Sequence, residues 1–194
     1  ANGINKADEL IDHAISGQVP VYHHDGPSDA PVFDGEKEST ARIIYKHLMN
    51  GVSHMLPFVI GGGILIALAF LFDDYSIDPS KFGSNTPLAK FFMDVGGASF
   101  GFMLPVLAGF IAMSIADRPG LAVGFVGGAL AAKGGSGFLG ALLAGFAAGY
   151  IILGLRRIFA SLPKSLEGIK PVLLYPLIGV FLMGVLITFI INPP

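Results

Sequence analysis

The sequence predicts an all-α integral membrane protein with about five transmembrane helices plus interfacial amphipathic helices. Three observations predict it. Hydrophobic residues make up 53% of the 194-residue chain and charged residues 13%, with a mean hydropathy of +0.68, which leaves too little polar surface to cover a water-soluble globule. From Val52 to Phe72 no residue carries a permanent charge, and as a helix that run rises about 31 Å, the hydrocarbon thickness of a bilayer. Four further uncharged runs follow: Val95 to Ala116, Leu121 to Ala132, Gly134 to Leu155 and Pro171 to Asn192.

Charge divides the chain in two. Residues 1–40 hold eight acidic side chains against Lys6 and Lys37, a balance of −6, so the rest carries +4 of the overall −2. Asn5 can cap a short helix over residues 1–16, with Asp8 and Glu9 in its first turn and Ile4, Ala7, Ile11 and Ala14 on one face. Residues 17–40 then offer Pro20, Pro27, Pro31, Gly26 and Gly35 among acids with no period, the composition of a solvated linker. The polar, acidic N-terminus does not read as a cleavable signal peptide. With no cysteine in the chain, a disulfide scaffold, a thiolate metal site and a cysteine nucleophile are excluded within it.

The membrane region, residues 41–194, opens with a juxtamembrane helix capped by Ser39 or Thr40, in which Ile43, Ile44, His47 and Leu48 share a face. It leads into the first span. Thr86-Pro87 is a cap and first helical residue, followed by Leu88, Phe91, Phe92 and Val95 on one face. The run Leu121 to Ala132 is short, and length alone also admits a re-entrant segment. If it crosses, Arg42, Lys46, Arg118, Arg156, Arg157, Lys164 and Lys170 fall on one side, against Lys81, Lys90 and Lys133 on the other. That bias favours five spans with the N-terminus cytoplasmic. After the fourth span, Ile158, Phe159, Leu162, Leu166 and Ile169 alternate with basic residues, as in an amphipathic helix that Pro163 bends against anionic lipid.

Glycines recur four residues apart: Gly97 and Gly101, Gly120, Gly124 and Gly128, Gly145 and Gly149, beside the triplet Gly61, Gly62 and Gly63. In lipid such faces let helix backbones approach, so packing is the expected role. No strand precedes them and no Walker lysine follows, which argues against a phosphate-cradling loop.

Few residues offer chemistry. His54 lies inside the first span, where an ionisable group is by default a functional candidate. It is the candidate substrate-binding residue, although a histidine bonded to a carbonyl is the more economical expectation, and Pro57 frees a carbonyl nearby for His54 or Ser53. Asp117-Arg118-Pro119-Gly120 reads as a tight polar hinge with Pro and Gly in turn positions, and Asp117 and Arg118 are candidate contacts for a partner domain or a gate. His23-His24 has no third ligand, so no metal site is expected. No catalytic residue, cofactor or nucleic-acid partner is indicated, and the spans contain no paired carboxylates for an ion relay.

Four motifs then point to a family. GVSHMLPFVIGGGILIAL (Gly51 to Leu68), ADRPGLAVGFVGG (Ala116 to Gly128), GSGFLGALLAGFAAGY (Gly135 to Tyr150) and LEGIKPVLLYPLIG (Leu166 to Gly179) resemble the IIC component of the fructose-type bacterial sugar phosphotransferase system, over residues 40–194. Asn2 to Ile15 resembles, more weakly, the end of a preceding IIB domain. The resemblance implies a permease of the cytoplasmic (inner) membrane that takes up fructose or a related sugar. The sugar is phosphorylated at the inner face by a cysteinyl phosphate on IIB, itself charged through IIA and the histidine phosphocarrier protein, a protein-phosphohistidine–fructose phosphotransferase activity. Phosphorylation traps the product as an anion, so no ion gradient is needed. The resemblance further implies that the phosphocysteine and the main sugar site lie outside this chain, and that this N-terminal half serves as scaffold and homodimer contact. The competing expectation is a self-contained oligomeric channel around the glycine-rich third and fourth spans.

Overall fold

Contacts divide the chain into Ala1–Lys37 and Glu38–Pro194. The structure, a computed structural model, describes residues 12, 15, 16 and 39–192. In the first unit, Asp12 and Ile15 are helical and the Ser16 N–H donates to the Asp12 carbonyl at 3.0 Å. The rest of the expected helix at 1–16, and the expected linker up to residue 38 with His23 and His24, lie outside the described residues.

The second unit is helical throughout its membrane region. Helix α1 is Thr40–Phe72, so the juxtamembrane helix and the first span are one element; Ser39 caps it by accepting from the Arg42 N–H at 3.4 Å. Helix α2, Pro87–Gly101, starts as expected, with Thr86 Oγ1 accepting from the Ala89 N–H and Pro87 in the first turn. Helix α3 is Met103–Lys133, α4 is Gly137–Ile158, and α5 is Tyr175–Leu186, extended at both ends by π turns Lys170–Leu174 and Ile187–Ile191. Four stretches are long and apolar enough to cross a membrane: Thr40–Phe72, Pro87–Lys133, Gly137–Ser161 and Val172–Ile191.

The second of those stretches folds back on itself. Ala116 (φ −129°, ψ 19°) and Asp117 (φ 58°, ψ −156°) leave the helical region inside α3. Beyond the kink the glycines mark an antiparallel return, because a Cβ on Gly120, Gly124 or Gly128 would lie 2.5–2.6 Å from the carbonyl oxygens of Ala112, Ala108 and Leu104 respectively. The arms 103–115 and 118–133 are therefore a hairpin, and the run Leu121 to Ala132 is its returning arm.

Neighbouring contacts fix the remaining directions. Ser99 donates to the Phe58 carbonyl, Asn50 to the Phe110 carbonyl, and His47 meets Ser114, so α1 runs antiparallel to α2 and to the outgoing arm of α3. Gly145 abuts Ile111 and Gly149 abuts Ile115, which sets α4 parallel to that arm. Gly179 meets Val123 and Gly127 meets Met183, which sets α5 parallel to the returning arm. The chain makes five passes and reverses direction four times, as the five-span reading expects.

Burial concentrates at the hairpin. Leu107, Ile111, Ile152, Met183 and Ile187 are fully enclosed, with Ala108, Ala112, Ala144 and Ala148 forming the layer between α3 and α4. The outer surfaces of α1 and α5 keep Leu56, Ile60, Ile64, Leu177, Phe181 and Phe189 exposed, which is stable only in an apolar solvent or against protein. Two connections differ from a plain loop or helix. Residues 73–86 form an ordered cap containing the single 3₁₀ turn Pro79–Lys81. The expected amphipathic helix after α4 is instead two 3₁₀ turns, Phe159–Ser161 and Lys164–Leu166, because Pro163 removes a donor and holds Leu162 extended (ψ 147°).

Candidate functional site

Polar side chains gather along the seam between α1 and the outgoing arm of α3. Ser114 Oγ donates to the Ile111 carbonyl at 2.7 Å, so its contact with His47 Nδ1, also 2.7 Å, requires Nδ1 to carry the proton. One turn on, Asn50 Nδ2 donates to the Phe110 carbonyl at 2.8 Å. These bonds tie α1 to α3 and fix the register of the pair.

His54 lies on the outer edge of this seam. Its Nδ1 is 2.8 Å from the Asn50 carbonyl, and its ring stacks on Phe110 with centroids 3.8 Å apart and planes within 7°. A carbonyl can only accept, so Nδ1 is protonated in this arrangement. The expected bond to a carbonyl is present, but not to the one Pro57 frees. Ser53 likewise turns back, donating to the Met49 carbonyl at 2.7 Å. In both cases the carbonyl one turn upstream is in reach without any change of helix geometry, whereas the Ser53 carbonyl points away from its own side chain.

At the hairpin apex the residue in the left-handed region is Asp117, not Gly120. Pro119 and Gly120 are already helical in the returning arm, where Gly120 makes room for the Ala112 carbonyl. Asp117 pairs with Arg156, and no bond from it to its neighbour Arg118 is recorded among the described residues. Both terminal nitrogens of Arg156 lie 3.3 Å from Asp117 Oδ2, and Nη2 also donates to the Ala116 carbonyl at 2.7 Å. Arg118 is exposed beside this clamp. Sequence reasoning missed Arg156, since its partner is 39 residues away and only the fold brings them together.

A second polar cluster closes the opposite end of α1. Asp73 Oδ2 accepts from the N–H groups of Gly83 at 2.6 Å and Asn85 at 3.1 Å, and Oδ1 from that of Thr86 at 2.9 Å. Desolvation pushes its carboxyl up, but the bonds from Asn85, Thr86 and Gly83 outweigh that and hold it at about 2. Bonds from the Ser76 and Ser80 hydroxyls and N–H groups likewise lower Asp74 and Asp78. Asp73 had a signal in the sequence: an acid just past a helix C-terminus opposes the helix dipole, and so needs another reason to be there.

Among the described residues no group of three His, Asp or Glu side chains is placed to hold a metal. The glycines of the third and fourth spans are used in contacts within the bundle: Gly124 and Gly128 inside the hairpin, Gly145 and Gly149 against α3. Gly61, Gly97 and Gly101, by contrast, have open space where a Cβ would stand. An open apolar groove of about 270 Å³ on α5, lined by Val180, Phe181, Gly184, Val185, Thr188 and Phe189, has the polarity of a helix-packing surface and not of a sugar pocket.

Known proteins carry the same pattern. The family described as "Phosphotransferase system, EIIC" matches residues 49–194, which include α1 from Met49 onward and every later helix. The chain is 46% identical, over 99% of its length and 31% of the relative's, to the PTS system fructose-specific EIIABC component of Bacillus subtilis (strain 168). It is 44% identical, over 86% of its length and 31% of the relative's, to the PTS system fructose-specific EIIB'BC component of Haemophilus influenzae. To the Fructose permease IIC component of Bacillus amyloliquefaciens it is 50% identical over 62% of its length and 40% of the relative's. The chain thus spans about a third of the length of these curated relatives. No solved structure matches it. With the family match covering all five passes of the bundle, the chain belongs to the EIIC membrane components of the phosphotransferase system.

Proposed function

We propose that this chain is the membrane-spanning portion of a fructose permease that couples sugar uptake to phosphorylation, in the bacterial inner membrane with its N-terminus cytoplasmic. The observation that carries the reading is the family match over residues 49–194 together with the fructose-specific relatives; within the bundle the acids Asp94 and Asp117 are exposed and lie apart, with no paired carboxylates for an ion relay among the described residues. Ion-driven carriers need ionisable groups in the membrane, whereas a permease whose product is trapped as a phosphate ester does not. The fructose-specific names of the relatives supply the sugar. Phosphate comes from the cysteinyl phosphate of a IIB domain, charged through IIA and the histidine phosphocarrier protein.

This portion acts as scaffold and homodimer contact. Its core is backbone against backbone at Gly120, Gly124 and Gly128, an arrangement that resists rearrangement because nothing there can change rotamer. The basic residues Arg118, Arg156, Arg157 and Lys164 mark the cytoplasmic face, toward IIB and anionic lipid.

Membrane vesicles with phosphorylated IIB and labelled fructose test the reading. Sugar phosphate should form when the chain is co-expressed with the remaining membrane portion of a relative such as the Bacillus subtilis protein, and not from the chain alone. Ion or solute flux through liposomes holding only this chain would overturn it. For orientation, single cysteines at Ser80 and Gly168 label from opposite sides, Ser80 outside; a cytoplasmic Ser80 refutes the five-pass topology.

A further inference from the structure

We propose that the exposed turn of α1 at Ser53, His54 and Pro57 is a contact site for sugar hydroxyls, an inference that rests on the sugar-permease reading above. Three hydrogen-bond acceptors lie along this one turn. The His54 tautomer whose Nδ1 proton meets the Asn50 carbonyl at 2.8 Å keeps its lone pair on Nε2. Ser53 Oγ directs its proton to the Met49 carbonyl at 2.7 Å, leaving its own lone pairs. Pro57 has no N–H, so the Ser53 carbonyl lacks its helical donor. All three residues are exposed.

The turn is held in place. Phe110 lies flat against His54 at 3.8 Å and is itself met edge-on by Phe125 at 6.4 Å, while Asn50 anchors the same stretch of α1 to the Phe110 carbonyl. His54 sits two turns beyond His47, about 10 Å along the helix, within the run that carries no permanent charge. Ser53 and His54 stand at the start of that run, within about 3 Å of Val52 along the helix, where an acceptor gains by meeting a donor. The neighbouring exposed residues Leu56, Ile60, Gly61 and Ile64 offer no side-chain donor.

The chemistry selects the occupant. Acyl chains bring no donors, and a two-fold copy of this turn would set acceptors against acceptors. A neutral molecule rich in hydroxyls supplies them. The polar stretch is one helical turn, about 5.4 Å, which matches one sugar ring better than the length of a packing helix.

The test uses the complete permease, the chain together with the remaining membrane portion, in nanodiscs, with fructose and its monodeoxy analogues as probes. His54→Phe keeps the stack on Phe110 and removes the acceptor; Pro57→Ala gives the Ser53 carbonyl its donor while making the helix more regular. Each should raise the Kd for fructose about tenfold, the worth of one hydrogen bond. One deoxy analogue should bind the unsubstituted permease about tenfold more weakly and lose nothing further in His54→Phe. Fructose should also slow maleimide labelling of Ser53→Cys. Unchanged affinity in both variants, an equal further loss for every deoxy analogue, or a Ser53→Cys blocked by protein in the absence of sugar would each overturn the contact while leaving the permease reading intact. Failure of the unsubstituted permease to bind fructose overturns both.

Discussion

The guanidinium of Arg156 holds the carboxylate of Asp117 at 3.3 Å and, through Nη2, the carbonyl of Ala116 at 2.7 Å. One side chain from the last turn of α4 thereby closes the kink that makes α3 a hairpin. Ala116 is fully buried, so removing its charged donor leaves an acceptor with little to replace it. Arg156→Ala should lower stability by about 1–3 kcal/mol, and Arg156→Lys should recover only part, since an ammonium lacks the planar fork that serves both acceptors. Thermal unfolding in detergent reads this out; an Ala variant as stable as the parent would refute the clamp.

Asp117 itself is strained. At φ 58°, ψ −156° it occupies backbone space that is nearly glycine's alone, worth about 1–3 kcal/mol. Its side chain is 81% exposed in the pair with Arg156, and exposed pairs contribute about 0–1 kcal/mol. Asp117→Gly should therefore raise the melting temperature, whereas Asp117→Ala, which keeps the strain and loses the pair, should lower it. A melting temperature moving the same way in both variants would contradict the strain.

The glycines should separate into two classes. A Cβ at Gly124 or Gly128 would meet a carbonyl oxygen of the opposing arm at 2.6 and 2.5 Å, so alanine there forces the hairpin apart and should cost about 1–3 kcal/mol. At Gly97 and Gly101 the same Cβ meets nothing, and alanine should stabilise by about 0.5–1 kcal/mol through helix propensity. Four alanine variants melted under one condition decide it, and equal effects at all four would sink the assignment.

The cap at 73–86 should be sensitive to acid. Asp73 ionises at about 2 in the fold against 3.8 for a free side chain. A depressed carboxyl stabilises the folded form fully above its unfolded value and loses that contribution as pH falls through the folded one. Protection of the Gly83, Asn85 and Thr86 amides should hold at neutral pH and decline from about pH 4 to pH 2. In Asp73→Asn it should be weak throughout and flat across that range; protection in the Asn variant equal to the parent's would refute the anchor.

Apolar runs, caps and glycine spacing make most of the fold legible in the sequence. Val52 to Phe72 announced α1, Thr86-Pro87 the start of α2, and Gly120, Gly124 and Gly128 a helix–helix seam. Local patterns could not say what the seam faced. The returning arm packs on the arm just before it, a relation set by the Ala116–Asp117 kink, and the side chain that closes on the kink, Arg156, is far away in sequence. Gly61, Gly97 and Gly101 share the spacing of their buried counterparts and yet face open space, because spacing records which residues share a face and not what covers it. At the candidate site, His54 was legible as an anomaly in an apolar run. Its tautomer and its stack on Phe110 were not, since both depend on α3.

The returning arm of α3, residues 118–133, rises about 24 Å, well short of the 33-residue α1 beside it. It is also about 7 Å short of the roughly 31 Å that Val52 to Phe72 spans within α1, which is the length that matches the hydrocarbon of a bilayer. The arm ends at the turn that follows Lys133, where Gly135 and Gly137 take positive φ and the Asn192 side chain closes on Gly134 and donates to the Leu130 carbonyl. Short passes are matched by local thinning of the bilayer, at a cost of fractions of a kcal/mol per Å. The short arm predicts a protein whose stability rises as the acyl chains of its bilayer shorten; melting temperatures independent of chain length across a lipid series would refute it.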